Sequence, residues 1–106
     1  MTNAIQKLND TFRKTFTGGR VMLTAGINAL PVDDVAQILS RVRNFNDFTT
    51  ANDPYVEHDM AGFDYKGQRI FWKIDYYDRN LQYLSEDPAD TSKTIRILTI
   101  LLAEEY

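Results

Sequence analysis

The chain has 106 residues, 43% of them apolar and 25% charged, which are the proportions of a single folded domain spanning 1–106. Without cysteine it can build neither disulfides nor thiolate metal sites, and no apolar run approaches the ~20 residues of a membrane helix. The net charge of −3 is uneven: residues 1–46 carry six Lys/Arg against three Asp, while residues 47–106 carry six against twelve Asp/Glu, an acidic carboxyl half that repels nucleic acid.

The amino-terminal stretch MTNAIQKLNDTFRK has no uninterrupted apolar core, so a secretory signal is not expected. Ile5, Leu8, Phe12 and Phe16 recur at helical spacing and predict an amphipathic helix over 3–16, with Thr2 or Asn3 as its cap. Gly18–Gly19 are expected to supply the left-handed stop. Arg20–Ala25 is an apolar run of strand length, and Gly26–Leu30 reads as a turn. Pro31 suits the first turn of a second helix with a buried stripe of Val35, Ile38, Leu39 and Val42. Asp33 and Asp34 sit at its positive end, Arg41 and Arg43 at its negative end.

Asn44–Val56 is rich in turn formers and reads as loop, with Phe45 and Phe48 dipping into the core. The next stretch, EHDMAGFDYKGQRIFWKIDYYD over 57–78, is a β-hairpin dense in aromatic and ionisable side chains. Asp64-Tyr65-Lys66-Gly67 fits a type I turn with a glycine bulge, which pairs Asp64 with Gln68, Met60 with Trp72 and His58 with Ile74. That register places Met60, Ile70, Trp72, Ile74 and Tyr76 on the core face. The opposite face then sets Asp59 across from Lys73, Glu57 across from Asp75 and Ala61 across from Phe71. A strict two-residue Lys66-Gly67 turn sets His58 across from Asp75 instead, so one residue of register decides which side chains meet.

Leu81, Tyr83 and Leu84 can form a short pairing segment before the SEDPAD turn at 85–90. Over Thr94–Ala103, five β-branched residues favour a strand near the sheet centre, although Leu98, Leu101 and Leu102 also permit a helix. The element order α-β-α-β-β-β gives an α+β fold: a mainly antiparallel sheet of about four strands with two helices on one face.

Chemistry concentrates in the hairpin. His58 with Asp59, Asp75 or Glu57 could act as a general acid–base group. The same oxygen and imidazole ligands suit a divalent ion, but successive strand residues point to opposite faces, so neither a metal nor another cofactor is expected. Tyr55, Phe71, Lys73 and Tyr77 form a candidate protein-binding face of aromatic anchors among charges. No nucleophile elbow or phosphate-binding loop is present; Thr17-Gly18-Gly19-Arg20 lacks the P-loop lysine.

The fragments FTGGRVMLTAGINAL, NDPYVEHDMAGFDYKG, IFWKIDYYD, SEDPAD and ILTILLAEEY together resemble a family of small proteobacterial proteins, DUF3768, a domain of unknown function. The resemblance runs from Leu8 to Tyr106. It implies a bacterial, cytoplasmic protein, with plasmids among its settings, and brings no activity or catalytic residue. The reading that results is an accessory protein acting by binding another macromolecule, with a mobile-element role against a host defence or regulatory protein as its extended form. The alternative is a small acid–base or metal-assisted hydrolase built on His58 and its carboxylates. A ribonuclease-type toxin fits the scaffold but not the acidic carboxyl half.

Overall fold

A computed structural model describes residues 3–106. The first helix, α1 (Ala4–Thr15), is capped by Asn3, whose Oδ1 accepts the N–H groups of Ile5 and Gln6. The other cap expected from sequence, Thr2, lies outside the described residues. The left-handed residue that ends α1 is Phe16 (φ 58), not a member of the Gly18–Gly19 pair. Packing of the Phe16 ring against the core, with the Arg43 guanidinium 5.4 Å from its centre, holds that unfavourable conformation.

Strand β1 (Gly19–Leu23) follows. The turn expected at 26–30 is instead a single helical turn, α2 (Ala25–Asn28), because Ile27 is fully buried and Glu105 accepts the Gly26 N–H at 3.0 Å. Pro31 stands at the cap of α3 (Val32–Arg43), one position before the first turn where it was expected. Ile38 and Val42 are buried from that helix, with Leu39 packed beside them.

The remaining strands are β2 (Met60–Tyr65), β3 (Gln68–Tyr77) and β4 (Ile95–Leu102), the last ending in a 3-10 turn at Ala103–Glu105. The sheet order is β1-β4-β3-β2. The ambiguous last element is thus a strand, and it lies in the interior of the sheet, hydrogen-bonded on both sides. β4 runs parallel to β1, whereas the β2–β3 and β3–β4 pairs are antiparallel. The fold is α+β with a mainly antiparallel sheet, as expected, but with one parallel pair and a third, short helix among the described residues.

The hairpin adopts the two-residue turn, not the bulged one. Tyr65 pairs with Gln68, and Lys66 and Gly67 both have positive φ, 48° and 81°. Positive φ at both central residues gives the turn whose twist matches the flanking strands. Asp34 of α3 secures it by accepting from the Tyr65 hydroxyl at 2.8 Å and from Lys66 Nζ at 2.9 Å. The one-residue shift exchanges the faces of β2. Ala61 and Phe63 enter the core opposite Trp72 and Ile70, and Met60 turns to the other face opposite Lys73. On β3 the expected face holds: Ile70, Trp72 and Ile74 are buried and Tyr76 packs at their end.

The register aligns Leu98 with Ile74, Ile100 with Trp72 and Leu102 with Ile70. With Ala61, Phe63, Phe12, Ile27, Ile38 and Val42 they form one core between the sheet and the helices. Phe45 and Phe48 close its end, each edge-on to the Trp72 indole at 5.8 and 6.1 Å. Among the described residues, the three α-helices all pack on this core side and none covers the opposite side of the sheet. That asymmetry positions the candidate site.

Candidate functional site

The residues considered for acid–base chemistry do not converge. β2 begins only at Met60, because Val56 and His58 both take left-handed conformations, φ 56 and 54. Buried Asp53 imposes this by accepting the N–H groups of Glu57 and His58 on Oδ1, each at 3.1 Å. Gln6 adds a bond from its amide to the Val56 carbonyl at 2.8 Å. The His58 ring is turned away from Asp75 toward α1. Its Nδ1 lies 2.9 Å from Asp10, its Nε2 lies 3.4 Å from Asp53, and its face stacks on Phe48 with centroids 3.7 Å apart.

Glu57 and Asp59 stand elsewhere. Glu57 Oε2 accepts from the Tyr76 hydroxyl at 3.4 Å, and burial, followed by the charge of Asp59, raises its pKa. Burial also raises the pKa of Asp59, with the neighbouring carboxylates of Asp53 and Asp75 adding to the shift. Tyr76, beside both, is pushed up by burial. Asp75 points to the helix-free side and pairs with Lys73 at 3.3 Å. No group of three or more metal-type ligands exists among the described residues.

His58 therefore belongs to a network that fastens the 44–59 loop to α1. Asp10 bridges His58 and the buried Arg13, whose guanidinium donates to the carbonyls of Val42 and Arg43 at the carboxyl end of α3. A cation there meets the negative end of the helix dipole.

The proposed binding residues divide differently. Phe71, Lys73 and Tyr77 alternate along β3 and share the helix-free face. Tyr55 is separate: it is exposed in the loop before β2, with its carbonyl near the Asn3 amide. The face holds a shallow, open depression. A cavity of about 500 Å³ spans β1, β4 and β3, lined by Arg20, Met22, Lys73, Asp75, Tyr77, Leu81, Ile97 and Thr99 among others. Leu81 reaches its rim from a strained turn (φ 58), which Asp78 holds by accepting from the N–H groups of Asn80 and Gln82. Phe71 lies further along, edge-on to Tyr106 at 5.9 Å.

Arg20, Met22, Leu81, Ile97 and Thr99 were not singled out from sequence. The available signal was the alternate set Ile95, Ile97 and Thr99 in β4. Its meaning depends on the parallel β1–β4 pairing, which brings Arg20 level with Ile97 and Met22 level with Thr99.

A family model described as "Protein of unknown function (DUF3768)" matches residues 23–105, and the chain belongs to that family. No curated protein and no solved structure matches the chain. No helix among the described residues is long and apolar enough to cross a membrane.

Proposed function

We propose that this chain is a binding module that receives a protein partner on the helix-free face of its sheet, with Phe71, Lys73 and Tyr77 as anchors. One observation carries the reading: the cavity of about 500 Å³ on the face opposite the core, with apolar and charged side chains from three strands in its lining. One face of a mainly antiparallel sheet is commonly solvated and polar, so an open depression of mixed apolar and charged lining on that face is a candidate contact surface. Aromatic side chains beside charges are the usual anchors of protein interfaces. Interference with a host defence or regulatory protein is an extension that rests on the sequence resemblance alone. The hydrolase alternative has less support, because Glu57, Asp59 and Asp75 do not meet His58 and its ring is occupied by Asp10 and Phe48.

Site-resolved photocrosslinking in the native host tests the proposal. A photoreactive residue in place of Ile97 should capture a specific protein. One in place of Val32, which is 83% exposed on α3, should not. Capture should disappear in a folded Phe71→Ser/Tyr77→Ser double variant. Equal capture from position 32, or undiminished capture by the double variant, would reject the face.

A further inference from the structure

Arg20 is exposed at the rim of the cavity and has no hydrogen-bond or ion-pair partner among the described residues. The other cation of the lining, Lys73, is already held by Asp75 at 3.3 Å. The cavity thus carries two cations against one carboxylate, in a chain whose net charge is −3. Around Arg20 the lining is aliphatic and aromatic: Met22 (53% exposed), Leu81, Ile97 and the Tyr77 ring. Thr99 adds a hydroxyl.

We infer that the part of the partner entering this cavity is an acidic–aliphatic peptide segment, whose carboxylate pairs with Arg20 while a neighbouring aliphatic side chain covers Met22, Leu81 and Ile97. The inference rests on the proposed binding role of the face and specifies its occupant. A guanidinium with free donors matches a carboxylate in two-point geometry, and a planar cation loses little hydration on pairing. The surrounding chemistry sharpens the choice. Within the lining the Lys73 charge is balanced by Asp75 and that of Arg20 is not, so the depression has a local positive excess that favours an acidic segment. A nucleic acid is a poorer occupant, since its phosphates need a row of cations and the lining offers one that is free.

Two capped peptides serve as probes, acetyl-Glu-Leu-Glu-Leu-amide and its glutamine counterpart acetyl-Gln-Leu-Gln-Leu-amide. Each is titrated into the full-length, isotope-labelled protein while backbone amide resonances are followed. The acidic peptide should shift the amides of Arg20, Met22, Lys73, Tyr77 and Thr99. It should bind about two- to fivefold more tightly than the glutamine peptide, the scale of one solvent-exposed ion pair. Arg20→Gln should erase that preference, whereas Lys7→Gln, at an exposed cation of α1 on the core side of the sheet, should leave it unchanged. Equal binding of the two peptides, a preference that survives Arg20→Gln, shifts confined to other surfaces, or no binding at millimolar peptide would each overturn the inference. If position 97 still captures a protein in the crosslinking experiment, the binding role of the face survives that result. If capture fails as well, both fall together.

Discussion

The guanidinium of Arg96, buried in β4, donates through Nε to Oδ1 of Asn9 in α1 at 2.8 Å, across 87 positions of sequence. Neither side chain is more than 3% exposed. Arg96 has no carboxylate partner among the described residues; it also donates to the Pro88 carbonyl at 2.6 Å and lies 5.2 Å from the Tyr76 ring centre. Burial lowers its pKa accordingly. Asn9 also donates to the Glu57 carbonyl and the Tyr76 hydroxyl, so one amide joins α1, β4, β3 and the loop before β2. Asn9→Leu should therefore cost about 2–3 kcal/mol, the range for unpartnering a buried charged donor. Urea unfolding checks this, and a loss below about 1 kcal/mol would mean that water reaches Arg96.

Trp72 is wholly buried beneath Phe45 and Phe48, with the Arg13 guanidinium 5.1 Å from its ring. Trp72→Ala should cost about 3–5 kcal/mol. In a domain of this size that lowers the melting temperature by more than about 10 °C. A thermal melt within a few degrees of wild type would contradict the packing.

His58→Gln should fold, lose about 1–2 kcal/mol with the Phe48 stack and the Asp10 bond, and keep the partner captured from position 97. Denaturant melts and crosslinking measure the two effects separately. A folded variant of unchanged stability that had lost its biological activity would restore the acid–base reading.

The raised pKa of Asp59 fixes the sign of a pH effect. Well below the ordinary carboxylate range, Asp59 is protonated in both states and contributes nothing. As pH rises, the unfolded chain releases its proton first, so the folded state loses relative stability until its own, higher pKa is passed. Asp59→Asn should thus raise the melting temperature at pH 7, and the gain should vanish at about pH 3. Melts at the two pH values give the answer. A gain that is larger in acid would reverse the assignment.

Gly67 occupies a left-handed position (φ 81), and the space that a side-chain carbon would fill there is open, so its conformation alone resists substitution. Gly67→Ala should cost about 1 kcal/mol, and equilibrium unfolding in urea would reveal a smaller loss if the bulged turn were accessible at no penalty.

Local pattern determined much of this protein. The 3.6-residue spacing of Ile5, Leu8 and Phe12 defines α1, and that of Ile38 and Val42 defines α3. The alternation of Ile70, Trp72 and Ile74 identifies the buried face of β3 and, with it, the outward placing of Phe71, Lys73 and Tyr77. These signals are legible because each is carried by neighbours within one element. Tertiary structure decided the rest. The hairpin register turned on Asp34, which is 31 residues from Tyr65 and holds the turn from another helix. The fate of His58 turned on Asp53 and Asp10, whose bonds end the strand before His58 can face Asp75. The cavity exists because β4 lies between β1 and β3, a parallel pairing between distant segments that leaves no local trace. Periodicity reports which face of an element is apolar; only the assembled sheet reports which elements share that face and what, if anything, covers it.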